Sequence, residues 1–248
     1  MSGEAHAVAP RFLPSGDTAL VVEFGDRIDR NLSALVLNLR GRVRDADIPG
    51  VGEAVPTFRS LMVHYDPLVL RARELEERLM PLLDGLEGHA MVGQRWLFPT
   101  CYEGAEYAPD LADVARAAGL REEEVAALHT GVEHLVYVIG FLPGLPYMGD
   151  LPASLALPRR TSPRIRVPAG SVAIATGQTC IYPLESPGGW HIIGRTAVPL
   201  FDRRRQYPAL LSPGDTVRFV AVGREVYDDM HKASEEGVFD IDTLRAYE

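Results

Sequence analysis

The chain has 248 residues, 46% apolar and 24% charged, with a formal net charge of −9. This size and balance describe one or two globular domains with ample core. The negative charge argues against non-specific binding to nucleic acid or an anionic membrane. Of 25 cationic side chains only one is a lysine, Lys232 in Met-His-Lys-Ala-Ser. That context fits no P-loop ATPase, pyridoxal enzyme or biotin carrier, each of which needs a lysine in its own setting. No apolar run approaches the roughly 20 residues that cross a bilayer. Residues 1–10 lack the basic start and apolar core of a signal peptide. Cys101 and Cys180 show no CxxC or zinc spacing, and the seven histidines form no HxH or HExxH pattern. No metal is therefore expected, and the cytoplasm, with reduced thiols, is the expected compartment.

Residues 1–85 read as a small α+β domain. Residues 18–24 are a β-rich apolar run behind the turn signal Pro14-Ser-Gly-Asp. Leu32, Leu35, Val36, Leu39 and Val43 recur at helical spacing, with Asp29 as N-cap, and Gly41 and Pro49-Gly50 close this region. Residues 53–58 and 61–65 are strand-like, and Asp66-Pro67 breaks the second. Leu75, Leu79 and Leu82 mark a second helix, with Glu74 and Arg78 at i,i+4. The order is β-α-β-β-α. Residues 86–94, Gly-rich and weakly periodic, read as a linker.

Residues 95–248 form the second domain. Arg95–Cys101 reads as a strand, 110–119 and 122–129 as short helices, and 134–141 as a β-rich run. The composition then changes. Residues 140–215 hold 9 Gly and 11 Pro in 76 positions, about a quarter, against an ordinary share of about 12%. Short β segments at 165–167, 171–175, 179–182, 190–194 and 216–221 suggest a closed or partly closed β-barrel. Residues 151–220 carry nine Arg against three acids, Glu185, Asp202 and Asp215, a local charge of +6 in a chain whose remainder carries −15. This is either a solvated loop face or a site for an anionic group, because Arg offers a planar fork of donors to carboxylate or phosphate.

Three clusters carry candidate chemistry. Gly140-Phe-Leu-Pro-Gly-Leu-Pro-Tyr-Met-Gly149 reads as a rigid shaped loop. Residues 158–171 place Arg164 and Arg166 on one face of a strand, which Arg159 and Arg160 cannot share. A turn at Pro168-Ala-Gly then presents Ser171. Ser171 is a candidate nucleophile, although Gly-x-Ser-x-Gly is absent and a plain hairpin serine is the simpler reading. Residues 177–196 gather Gln178, Tyr182, Trp190, His191 and Arg195, and Pro187-Gly188-Gly189 permits close approach of backbone to a ligand. His191 and His134 are candidate acids or bases. Cys180 reads as a buried, inert thiol.

The runs Phe141-Leu-Pro-Gly-Leu-Pro-Tyr-Met, Leu157-Pro-Arg-Arg, Val167-Pro-Ala-Gly-Ser-Val, Gln178-Thr, Tyr182-Pro, Ser186-Pro-Gly-Gly-Trp and Ile193-Gly-Arg-Thr closely resemble the B subunit of bacterial 5-oxoprolinase. This family is also called allophanate hydrolase subunit 1, or KipI-like. Gly16-Asp-Thr-Ala-Leu and Phe58-Arg-Ser-Leu-Met-Val-His-Tyr-Asp-Pro match its first domain. The resemblance implies an α+β N-terminal domain followed by a cyclophilin-like closed β-barrel. It implies partnership with the family's C subunit, the closest, and with its A subunit, in a complex that opens 5-oxoproline to glutamate with ATP, at an ATP site the motifs do not assign. Arg164, Arg166 or Arg195 is then expected to hold the substrate carboxylate, Gln178 and Tyr182 to orient it, and the Gly170-Ser171 turn to supply donors to an oxyanion. A site shared with the C subunit is expected, and activity only in the complex. Other branches of the family are a KipI-type inhibitor of a histidine kinase and a urea or allophanate carboxyltransferase subunit. The barrel does not imply prolyl isomerase activity.

Overall fold

The computed structural model describes residues 10–88 and 93–246. The chain divides into two compact units, Met1–Val92 and Gly93–Glu248. Residues 89–92 of the expected linker, and 1–9 of the N-terminal segment, lie outside the described residues.

In the first unit the order is β1 (Arg11–Pro14), β2 (Ala19–Glu23), α1 (Arg30–Ala46), β3 (Val51–Pro56), β4 (Ser60–Tyr65) and α2 (Ala72–Leu79), the last continued by a 3-10 turn, Met80–Leu83. The sheet is antiparallel in the order β1-β2-β4-β3. α1 starts where its cap was expected: the Asp29 carboxylate accepts from the backbone N–H of Asn31 and Leu32 at 2.8 and 3.2 Å. It does not end at Gly41. A helical glycine costs about 1 kcal/mol, but Val43, 3% exposed, continues the buried face, and the helix runs to a left-handed cap at Asp47. The core joins Leu20, Val22, Val36, Leu39, Leu61, Val63, Leu75 and Leu79. β1 corrects the β-α-β-β-α order to β-β-α-β-β-α. At four residues, mostly exposed, it shows no alternation to read.

The second unit contains β5 (Arg95–Cys101), α3 (Gly104–Tyr107), α4 (Leu111–Ala118), α5 (Glu122–Thr130), β6 (His134–Ile139), β7 (Pro146–Met148), β8 (Arg164–Val167), β9 (Ser171–Ala175), β10 (Gln178–Ile181), β11 (Ser186–Gly188), β12 (His191–Arg195), β13 (Thr216–Val222) and α6 (Arg224–Glu235). Seven strands close a barrel in the order β10-β7-β6-β13-β5-β12-β9, with β10 pairing back to β9. β8 and β11 form a separate two-stranded ribbon. β9 and β10 are joined by Thr176-Gly177, both at positive φ (50° and 78°), the twist that suits a two-residue hairpin. β13 alternates buried Val217 and Phe219 with exposed Arg218 and Val220, and Trp96, Phe98, Met148, Ile174 and Ile181 help fill the interior. A separate α+β unit followed in the chain by a closed barrel is the fold class the sequence implied. Two strands and the one-turn helix α3 are additions to the sequence reading. β7 lies inside the 140–149 segment read as a loop, with Tyr147 opposite Cys180 and Met148 opposite Thr179. β11 lies inside the third cluster.

Candidate functional site

One pocket on the second unit collects all three sequence clusters. It is a cavity of about 220 Å³ lined by Phe141, Leu145 and Tyr147 from the first, Arg159, Arg160 and Pro163 from the second, and Cys180, Tyr182 and 187–190 from the third. β7 and β10 place Tyr147 and Cys180 side by side. The Trp190 ring, 5% exposed, meets Tyr147 edge-on at 5.8 Å. Burial pushes the Cys180 thiol far above its usual range, so the sulfur is protonated and not a nucleophile at neutral pH. Burial likewise raises the Tyr182 phenol, which remains an O–H donor. A Cβ at Gly188 would collide with that hydroxyl. The close approach that Gly188 permits is therefore to Tyr182.

The cations arrive on an arm, residues 157–163, laid along β11 and β12. The Thr176 N–H donates to Leu157 O at 2.6 Å, and the Arg160 N–H to Gly189 O at 2.8 Å. His191 Nε2 donates to Pro158 O at 2.9 Å, since a carbonyl oxygen only accepts. Arg159 is thus pinned on both sides, and its guanidinium stands 5.9 Å from the Trp190 ring centroid, within cation–π range. Arg159 makes no ion pair among the described residues. Arg160 and Arg164 both bind Asp110, each contact at 2.7 Å. The arrangement presents one uncompensated guanidinium, an aromatic face and a phenol donor around a small cavity. Such a set has the chemistry to hold a small planar or cyclic anion.

The comparisons with known proteins converge. A family model described as "Carboxyltransferase domain, subdomain C and D" matches residues 10–211. The chain is 37% identical over 235 residues to the 5-oxoprolinase B subunit of Bacillus subtilis (strain 168), covering 89% of this chain and 95% of that one. It is 42% identical over 208 residues to the 5-oxoprolinase B subunit of Escherichia coli O157:H7, covering 83% and 93%. The chain belongs to the 5-oxoprolinase B-subunit family. The fold also matches the crystal structure of the K. lactis urea amidolyase with a TM-score of 0.78 at 21% identity, over 94% of this chain and 16% of that one.

In this family member the residues singled out from sequence separate into groups. Tyr182 lines the pocket. Arg164 and His191 stand behind it, one on Asp110 and the other holding the arm. Arg166 projects from the ribbon, 77% exposed, and pairs with Glu185 at 2.9 Å. Gln178 is buried at the start of β10. Ser171 and Arg195 face each other across β9 and β12. The Ser171 hydroxyl is fully buried with no hydrogen-bond partner, so no base is brought to it. The Arg195 guanidinium stands 6.0 Å from the Tyr107 ring centroid. Sequence reasoning set aside Arg159 and Arg160 because they cannot share a strand face, and they lie on no strand. The usable signal was their bracketing by Pro158 and Pro163, which marks a stiff non-strand arm. In the sequence Asp110 marks only a helix boundary. Among the described residues no group of His, Cys, Asp or Glu has the makings of a metal site, and no helix is long and apolar enough to cross a membrane.

Proposed function

We propose that the chain is the B subunit of an ATP-dependent 5-oxoprolinase, which hydrolyses the lactam of 5-oxoproline to L-glutamate in a cytoplasmic complex with its A and C subunits. The C subunit is its nearest partner, and the chain is inactive alone. The observation that carries this reading is Arg159, uncompensated over Trp190 at the edge of a small cavity. In this reading Arg159 pairs with the substrate carboxylate, the ring lies against Trp190, and Tyr182 donates to the lactam oxygen as negative charge develops there. His191 and Arg164 act by holding the arm. Ser171, Arg166, Gln178 and Arg195, which do not line the cavity, receive no direct role. ATP belongs to the complex and not to this cavity: about 220 Å³ is small beside the roughly 300–1,000 Å³ that encloses a larger ligand, and Lys232 is exposed on α6. With Cys180 protonated, the cavity lining offers no side-chain nucleophile, and water is the attacking group. Both cysteines are free and buried, consistent with a reducing compartment.

The test is coexpression with the A and C subunits, followed by assay of glutamate released from 5-oxoproline with ATP. The expected result is activity only in the complex. Arg159→Ala is expected to cost roughly 10- to 100-fold in kcat/KM, chiefly through KM, the usual worth of one charge-assisted hydrogen bond. The likeness to urea amidolyase favours a second reading, a urea-derived substrate. Turnover of such a substrate in place of 5-oxoproline would select it, and inactivity on both would overturn the enzyme reading.

A further inference from the structure

Asp110 occupies the N-cap position of α4, yet its side chain makes no capping hydrogen bond. It is 2% exposed and spends its oxygens elsewhere. Oδ1 accepts from Arg160 Nη1 and Arg164 Nη2, and Oδ2 accepts from Arg164 Nη1 and the Ile192 N–H, all at 2.7 Å. The Asp110 N–H in turn donates to Ile192 O at 3.0 Å. These partners belong to three segments: the arm, β8 and β12. The arm carries Arg159, Arg160 and Pro163 at the cavity wall, and Trp190, also on that wall, immediately precedes β12. One carboxylate against two guanidiniums leaves the cluster with one positive charge, and the bidentate pair with Arg164 fixes orientation as well as charge. A cap residue that caps nothing, buried where the arm, β8 and β12 meet behind the pocket, is placed for another task.

We infer that Asp110 is a positioning residue for the pocket's anion subsite. It locks the arm so that Arg159 stands over Trp190, and it occupies Arg160 and Arg164 so that Arg159 is the guanidinium left to meet a small carboxylate. This rests on the reading of the pocket as the 5-oxoproline site. Without the Asp110 charge, Arg160 and Arg164 repel each other, the arm loses its anchor, and the ligand meets a cation in the wrong place. Binding suffers more than turnover, because Asp110 touches no reacting atom.

The test uses the reconstituted complex with Asp110→Asn, which keeps size and shape and removes charge. KM for 5-oxoproline is expected to rise at least tenfold while kcat changes less than threefold, and Asp110→Glu is expected to recover part of the loss. A merely structural role would lower the active fraction, and hence apparent kcat, at unchanged KM; that result overturns the inference. Quenching of Trp190 by 5-oxoproline in a Trp96→Phe background reads the same affinity loss on the isolated chain. If Asp110→Asn does not fold, Arg164→Gln removes the bidentate contact from the other side and is expected to raise KM severalfold; unchanged KM there also overturns the inference. Arg159→Ala separates the two claims. Unchanged KM in Arg159→Ala sinks the pocket reading itself. A raised KM in Arg159→Ala with normal KM in Asp110→Asn sinks only the positioning role.

Discussion

A side chain at position 188 has nowhere to go. Its Cβ would run into the Tyr182 hydroxyl and lie 2.9 Å from Tyr182 Cζ and 3.0 Å from Val167 Cγ2. Gly188→Ala therefore forces either the ribbon or the phenol to move. Overpacking of this kind costs about 1–3 kcal/mol, and 1 kcal/mol shifts the melting midpoint of a domain of this size by about 2–4 °C. The expected outcome is a fall of roughly 2–12 °C in Tm together with weaker 5-oxoproline binding; a variant that melts and binds like the parent would show that Tyr182 has room to spare. The types of these residues were legible in the sequence, and the Pro-Gly-Gly run announced a close approach. What approaches was not legible, because Tyr182 and Gly188 belong to different segments and meet only when β11 folds onto β8. The same holds for His191. Its candidacy as an acid or base came from residue type, and its contact with Pro158 O came from the arm.

At the level of elements, pattern length decided what could be read. α1, α4 and α5 each span two turns or more; apolar spacing and the Asp29 cap locate α1, and the run Glu122-Glu123-Glu124 suits the start of α5. Arg121 N–H donates to the Glu124 carboxylate at 2.8 Å, so the acidic start of α5 serves its first turn. β1, β7, β11 and α3 have three or four residues each, too few to repeat a period. One of these short elements makes a measurable prediction. Tyr107 on α3 donates to Asp228 Oδ1 on α6 at 2.9 Å, and that bond, with burial, pushes its phenol up to about 12. A folded-state value above the ordinary value of about 10 means that the contribution is intact below pH 10 and is lost as pH rises from 10 to 12. Urea unfolding across this window should show a steeper loss of stability in the parent than in Tyr107→Phe; parallel losses would rule out the Asp228 bond as the cause.

Across the second unit as a whole, the barrel interior holds a buried histidine that local pattern did not flag. His129, 0% exposed, accepts at Nδ1 from the Tyr102 hydroxyl at 2.7 Å and donates from Nε2 to Thr179 Oγ1 at 3.0 Å. The Thr179 hydroxyl in turn donates to Ala173 O at 3.2 Å, which sets the tautomer. Burial first, and neighbouring His134 second, depress the His129 pKa well below its usual range. The sign follows: this contribution is complete above about pH 6.5 and is lost as pH falls, by up to about 1.4 kcal/mol per unit. The denaturant midpoint should drop between pH 7.5 and 5.5, and His129→Gln should flatten the drop; an equal drop in the variant would assign it elsewhere. What spacing and composition alone made legible was the buried faces of α1 and α2, the Asp29 cap, the division into an α+β part and a β-rich part, and the arginine-rich, acid-poor stretch. These are local properties, set by spacing and composition within one segment. Tertiary structure alone assigns, of the two arginines on the pocket wall, Arg160 to a carboxylate and leaves Arg159 open. Arg160 and Arg164 are answered by Asp110, 50 and 54 positions away, while Arg159 has no such answer. Periodicity reports which face of an element is buried, but charge pairing depends on which distant segments meet, and here that meeting is made by β12 and the arm closing over the start of α4.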